Sequence, residues 1–133
     1  MRSRTLIHFV FTTKRRKPIF GDPRLGYFAE RYLTDSARRK GITIEAMAVQ
    51  RDHVHILAFL PSTVSVAEAA HHLKWWSSYN LRQRHHIPQV TAKALWSHRF
   101  WHVSVGGGAH TQRAYIEAQQ QSFREDWEVT EEE

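Results

Sequence analysis

The sequence of 133 residues contains no cysteine and no long hydrophobic run. The absence of cysteine excludes disulfide bonds, thiolate catalysis and cysteine-ligated zinc sites, and it agrees with a reducing compartment. The longest early apolar run spans Leu6 to Phe11 and is interrupted by His8. This run is too short for a bilayer span or for the core of a signal peptide. We therefore expect a soluble, cytoplasmic protein with no membrane partner.

Acidic residues are scarce outside the C-terminal end. Six of the thirteen aspartates and glutamates lie within residues 125–133, so residues 1–124 combine nineteen lysines and arginines with seven acidic residues, a formal charge of +12. This charge favours a polyanionic partner such as nucleic acid, although a basic surface that only confers solubility has the same composition. We expect one domain over residues 1–124 and a disordered acidic tail over residues 125–133.

Hydrophobic periodicity and turn residues predict seven elements. The predicted strands are Thr5 to Thr12, Ile42 to Gln50, His53 to Leu60 and Phe100 to Val105. The first predicted helix begins at Asp22-Pro23 and ends before Gly41. The second begins with a capping box of Ser65 and Glu68 and runs to about Arg84. The third runs from about Thr111 to Phe123. The order β-α-β-β-α-β-α predicts an α+β fold of the ferredoxin-like (split βαβ) type. Its helices cover one face of an antiparallel sheet, and it has an additional C-terminal helix.

Two histidines two residues apart form the first candidate site. In a strand, His53 and His55 point to the same face, while Val54 and Ile56 point to the core. Two adjacent imidazoles can bind one divalent metal. A His-x-His pair is a weak signal in a chain with ten histidines, and purely structural histidines are the alternative.

The predicted last helix adds a tyrosine. Tyr115 and Gln119 are four residues apart, so they project from one helical face. A tyrosine hydroxyl next to a metal that polarises a phosphate can attack phosphorus and become covalently attached. The alternative is that Tyr115 packs in the core and Gln119 is solvated, and the spacing alone favours this alternative.

Five short motifs occur in a fixed order along the chain. They are HFVFTTKRRKPIF from residue 8, DHVH at 52–55, LKWWSS at 73–78, LWSHRFWHVSVG at 95–106 and YIEAQ at 115–119. From about Leu6 to Gln120, this order resembles the small HUH single-tyrosine transposases of the insertion-sequence-two-hundred group. The resemblance implies a DNA transposase, a single-strand endonuclease and strand transferase that recognises hairpins at the ends of an insertion sequence.

The resemblance also implies a role for individual residues. Tyr115 corresponds to the family's nucleophile, and His53, His55 and Gln119 correspond to the ligands of a divalent metal, Mg²⁺ or Mn²⁺. The first-strand signature includes His8. The expected DNA-binding residues are Lys14, Arg15, Arg16, Lys17 and Lys74.

Family members act as homodimers in which the tyrosine helix can serve the histidine pair of the partner. The run Gly106-Gly107-Gly108 would permit such a swing, and a plain loop is the alternative. Trp75 and Trp76 are adjacent, so they cannot share a helical face. Trp76 suits the core, whereas Trp75 could stack on an unpaired base or pack in the core or an interface.

Two other functions are compatible with parts of this pattern. A domesticated relative could hold hairpin DNA or RNA without cutting it, and a replication initiator or conjugative relaxase would share the histidine pair. The presence of Tyr115 and both histidines favours the transposase.

Overall fold

A computed structural model describes residues 4–90 and 94–106 of the chain. Four strands and two α-helices follow one another as β1 (Arg4–Thr12), α1 (Pro23–Arg39), β2 (Thr43–Val49), β3 (His53–Pro61), α2 (Val66–Arg84) and β4 (Trp101–Ser104). A turn at Lys14–Arg16 and a single turn of 3-10 helix at Ile19–Gly21 connect β1 to α1. The predicted C-terminal helix with Tyr115 and Gln119, two of the three glycines and the acidic tail lie outside the described residues.

The strands form one antiparallel sheet in the order β2-β3-β1-β4. The expected α+β fold with an antiparallel sheet is therefore confirmed, and so is the element order through the fourth strand. The strands β2 and β3 form the predicted hairpin, which the N–H of Gln50 closes by donating to the carbonyl of His53 at 2.7 Å. This topology places β1 and β3 side by side in the centre of the sheet.

Both helices begin at the predicted caps. The Asp22 side chain accepts a hydrogen bond from the N–H of Arg24, and Pro23 occupies the first turn of α1. After α1, Gly41 adopts a φ of 71°, which glycine tolerates without strain. Ser65 and Glu68 form both hydrogen bonds of the capping box at the start of α2.

The hydrophobic core lies between the two helices and one face of the sheet. Alternate residues of the central strands point into it, namely Ile7, Phe9 and Phe11 from β1 and Val54, Ile56, Ala58 and Leu60 from β3. The other face of these strands is also buried, and its residues include His8, Val10, His55 and Leu57. Among the described residues, no helix is long and apolar enough to cross a membrane.

Candidate functional site

The third strand carries two histidines on the sheet face opposite the helices. The side chains of His53 and His55 are buried, and their ring centroids are 5.0 Å apart. Val54 and Ile56, which alternate with them, lie in the core beneath the helices. Alternation along β3 therefore places the two imidazoles side by side, as the sequence predicts.

Asp52, in the turn between β2 and β3, contacts the first of these histidines. Its Oδ1 atom lies 2.9 Å from Nδ1 of His53, and its Oδ2 atom accepts a hydrogen bond from Nε of Arg16 at 3.0 Å. Burial by itself raises the pKa of the Asp52 carboxyl, but the hydrogen bonds and charges of His53 and Arg16 outweigh burial and lower the pKa below its ordinary value. Asp52 is therefore a carboxylate at neutral pH.

The first strand supplies a third histidine to the same face. Val10 lies opposite His55 in the β1–β3 register, which brings His8 into diagonal contact with His55. Nε2 of His8 lies 3.0 Å from Nδ1 of His55, and the ring of Trp101 packs against His8 from β4. Burial lowers the pKa of His8 to about 4, so this ring is neutral at neutral pH.

The imidazoles of His53 and His55 supply part of the ligand set that a divalent metal requires. Two adjacent imidazoles can supply two ligands, but within residues 4–90 and 94–106 no group of three His, Cys, Asp or Glu side chains could hold a metal ion. The resemblance to the family implies Gln119 as the third ligand, and this residue lies beyond these ranges. The structure brings His53 and His55 together, whereas the positions of Gln119 and Tyr115 relative to them stay predictions.

The residues Lys14–Lys17, which we call the basic turn, reverse the chain directly after β1. Arg15 and Arg16 have φ values of 58° and 55°, a left-handed conformation that costs a non-glycine residue about 1–3 kcal/mol. Thr13 fixes the turn, because its hydroxyl donates to the carbonyl of Lys17 at 2.7 Å and its N–H donates to the carbonyl of Asp52 at 2.9 Å. The basic turn is thereby attached to the turn that carries the histidine pair.

The four cations of the basic turn have different environments. Lys14 and Arg15 are exposed. Arg16 is half-buried in the ion pair described above, and Lys17 donates from Nζ to the carbonyl of Gln89 at 2.8 Å. The exposed pair can contact phosphate directly, whereas Arg16 already holds a carboxylate.

Lys74, the remaining predicted DNA-binding residue, lies on α2. Its Nζ atom donates to the carbonyl of His98 at 3.1 Å and lies 5.5 Å from the ring centroid of Phe100. Because α2 packs on the other face of the sheet, the structure does not bring Lys74 together with the histidine pair.

The helix α2 also exposes two aromatic rings on one face. Trp75 is 49% exposed and Tyr79 is 45% exposed, and their rings stack at 17° with centroids 5.8 Å apart. The ring of Trp76 lies 5.8 Å from that of Trp75 between centroids, and its indole N–H donates to Asp35 of α1 at 2.9 Å. Trp75 is therefore the freer of the two, as expected, whereas the expectation that Trp76 lies in the core is wrong, because Trp76 is half-buried against α1 and outside the hydrophobic core.

Two cavities, one beside α2 and one beside the basic turn, share the lining residues Ala94 and Leu95. The larger one, of about 400 Å³, is lined by Lys74, Trp75 and Arg82 among others. A smaller one, of about 190 Å³, is lined by residues that include Lys14 and Arg15. The cations of both cavities and the exposed ring of Trp75 therefore flank one strip of chain at residues 94–95.

Two residues of the site, Asp52 and His8, were not predicted to contact the histidine pair. Asp52 is adjacent to His53, which is a signal, and His8 follows the same alternation in β1 as the histidines in β3. The contact of His8 depends on the register of β1 and β3, and the contact of Asp52 with Arg16 depends on the left-handed backbone of the basic turn. Sequence motifs predict neither the register nor this backbone conformation.

Comparisons with known proteins agree with this architecture. A protein-family model described as "Transposase IS200 like" matches residues 2–119. A putative transposase from Deinococcus radiodurans R1 has a similar structure, with a TM-score of 0.69 and 20% identity over 90% of this chain and 91% of that one. A REP-associated tyrosine transposase bound to a REP hairpin gives a TM-score of 0.59 and 16% identity over 86% of this chain and 61% of that one.

No curated protein matches the chain. The two solved structures share its fold at low identity, and the family model covers nearly all of its sequence. The chain belongs to the IS200-like transposase family.

Proposed function

We propose that this protein binds the hairpin ends of an insertion sequence and cuts and rejoins single-stranded DNA through a covalent 5′-phosphotyrosine. The observation that supports this proposal best is the buried pair of His53 and His55, each with its own hydrogen-bond partner on Nδ1. Such a pair, in a family of tyrosine transposases, suits a metal site rather than ordinary core packing.

The proposed nucleophile is Tyr115, on a C-terminal helix added to a ferredoxin-like fold. Its hydroxyl oxygen bonds to the scissile phosphorus as the bond from phosphorus to the 3′ oxygen breaks. The tyrosine loses its proton, and the departing 3′ oxygen gains one. The products are a 5′-phosphotyrosyl enzyme and a free 3′-hydroxyl, and attack by that hydroxyl or another one reverses the step and rejoins DNA without ATP.

The proposed metal ligands are His53, His55 and Gln119. The family is typically metal-dependent. A bound Mg²⁺ or Mn²⁺ would neutralise charge on the phosphate and stabilise the leaving oxygen, and two imidazole ligands favour Mn²⁺. The two histidines and the amide of Gln119 would bind this ion and leave positions open for phosphate oxygens.

The proposed DNA surface begins at the basic turn. Lys14 and Arg15 are exposed there, and Lys17 and Arg16 complete the cationic cluster. Lys74 borders the cavity of about 400 Å³ beside α2. The related transposase whose structure contains a REP hairpin supports a hairpin as the ligand.

We further propose a homodimer in which active sites are shared. Gly106 is exposed, and a Cβ atom added to it would meet nothing within 4 Å. Because the chain continues with two more glycines, its backbone would permit the Tyr115 helix to swing toward the partner subunit.

Covalent capture tests the proposed function. With Mn²⁺ and a single-stranded oligonucleotide that carries a terminal hairpin of the parent element, the wild-type protein should form an adduct that survives denaturing electrophoresis. Tyr115→Phe should bind the oligonucleotide with nearly unchanged affinity and form no adduct, because only the nucleophilic oxygen is lost. Tyr27→Phe is the matched control, since it removes the hydroxyl of an exposed tyrosine on α1.

The outcomes distinguish the candidate functions. An equally strong adduct with Tyr115→Phe would assign the nucleophile to another residue. A wild-type protein that binds the hairpin but never forms an adduct would instead be the non-cleaving relative, which holds hairpin DNA or RNA.

A further inference from the structure

We propose that Asp52 and His8 are positioning residues that hold His53 and His55 in the tautomer with the proton on Nδ1, so that both rings present Nε2 to the metal. This inference rests on the proposed metal site and adds the residues that orient it. Neither Asp52 nor His8 is proposed to touch the metal or the DNA.

The contact with Asp52 determines the tautomer of His53. A carboxylate has no proton to donate, so the 2.9 Å contact between Oδ1 and Nδ1 requires a proton on Nδ1 of His53. A neutral imidazole has one N–H group, which leaves a lone pair on Nε2. Asp52 therefore selects the nitrogen of His53 that can bind a metal.

Arg16 fixes Asp52 in turn. The carboxylate divides its oxygens, because Oδ1 faces His53 while Oδ2 accepts from Arg16 at 3.0 Å. The left-handed backbone of Arg15 and Arg16 and the hydrogen bonds of Thr13 to the Asp52 carbonyl hold these groups together. A strained turn that is held by several contacts suits a positioning role.

The contact with His8 has the same consequence for His55. The atoms Nε2 of His8 and Nδ1 of His55 are 3.0 Å apart, so one of these nitrogens donates to the other. Since Nδ1 of His55 is occupied by this contact, a metal can take only Nε2, which requires that His55 donates and His8 accepts. His8 is fully buried between β3 and Trp101, so its ring is held in place.

The two histidines thus have the same arrangement with different partners. A carboxylate holds one ring and a neutral imidazole holds the other. Loss of a residue that orients a metal-binding histidine typically weakens metal affinity by about 10- to 100-fold.

The tautomers can be measured directly in metal-free protein. In histidine-labelled protein at pH 7.5, ¹⁵N NMR should show His53 and His55 protonated on Nδ1. Asp52→Ala and His8→Leu should each allow the other tautomer at the adjacent histidine and weaken binding of Mn²⁺ alone by about 10- to 100-fold. Asp52→Asn and His8→Gln retain an oxygen that can accept from Nδ1–H. These variants should therefore restore part of the Nδ1-protonated tautomer and part of the Mn²⁺ affinity.

Controls separate this inference from the proposed function. His102→Gln changes an exposed histidine that lies opposite Phe9 in the β1–β4 register, and it should alter neither tautomers nor Mn²⁺ affinity. Wild-type rings protonated on Nε2, or unchanged Mn²⁺ affinity in Asp52→Ala and His8→Leu, would overturn the inference. Unchanged Mn²⁺ binding after replacement of both His53 and His55 by Ala would instead overturn the proposed metal site itself.

Discussion

Arg15 and Arg16 are adjacent in sequence but have different surroundings. Arg15 is exposed, whereas Arg16 contacts the carboxylate that holds His53. The distinction arises from two consecutive left-handed residues, which turn the second side chain back toward Asp52. One arginine is therefore available to DNA, while the other belongs to the support of the candidate metal site.

Separate substitutions should resolve the two roles. Arg15→Gln should reduce the slope of log affinity against log salt by about 0.7, because one phosphate contact on a single strand is lost. Cleavage at saturating DNA should be unchanged. Arg16→Gln should instead weaken Mn²⁺ affinity and slow cleavage even at saturating DNA, because Asp52 loses a partner. Fluorescence anisotropy and single-turnover cleavage measure these effects, and identical behaviour of both variants would contradict the division of roles.

The sequence predicts the site only as far as local geometry reaches. Strand alternation is enough to place His53 and His55 on one face, and the structure confirms this. The contact of His8 with His55 requires the register in which Val10 opposes His55, and a sequence does not show register. The contact of Arg16 with Asp52 requires a positive φ at an arginine, which residue preferences disfavour.

At the scale of elements, the helix α2 has two sides with different uses. Its inward side packs residues such as Leu73 and Leu81 into the core. Its outward side exposes the stacked rings of Trp75 and Tyr79 beside the larger cavity, where Arg82 adds a cation. Exposed aromatic rings next to cations are suited to stacking on unpaired bases.

Removal of one ring should therefore weaken binding of single-stranded DNA. Stacking on one base is worth about 1–3 kcal/mol, so Trp75→Ala should reduce affinity for a hairpin with an unpaired flank by about 5- to 150-fold. Affinity for a blunt duplex should change little, because its bases are already stacked. Tyr27→Ala is the matched control, since Tyr27 is an exposed aromatic residue of α1. Equal losses with both variants would argue against a stacking site on α2.

Element boundaries were predictable where chemistry marks them. The Asp22-Pro23 start of α1 and the capping box of α2 appear in the structure as the sequence predicts. All four strands match their predicted bounds within one residue at each end, and β2 and β4 both begin one residue later and end one residue earlier than predicted.

At the scale of the whole molecule, both the distribution of charge and the topology of the sheet favour single-stranded DNA as the ligand. Residues 1–124 combine nineteen basic residues with seven acidic ones, and eleven of the basic residues lie within the first forty positions. The order β2-β3-β1-β4 places the basic turn, which follows β1, next to the turn that begins β3. A phosphate backbone held at the basic turn is thereby close to the histidine pair.

Binding should consequently depend strongly on salt and on the form of the DNA. Each phosphate neutralised on a single strand contributes about −0.7 to the slope of log affinity against log salt, so contacts from both Lys14 and Arg15 should contribute a slope near −1.4. A hairpin with single-stranded flanks should bind more tightly than a blunt duplex of equal length, because only the hairpin offers unpaired bases to Trp75 and a free strand to the site. Titrations with both DNAs from 50 to 300 mM salt would measure the salt slope and the two affinities. The same titrations would be repeated for the double variant Lys14→Gln/Arg15→Gln. If the double variant has the same slope as the wild-type protein, the phosphate contacts lie elsewhere, and Arg38, Arg39 and Lys40 are the next candidates. Equal affinity for the hairpin and the blunt duplex would count against recognition of single-stranded hairpin ends.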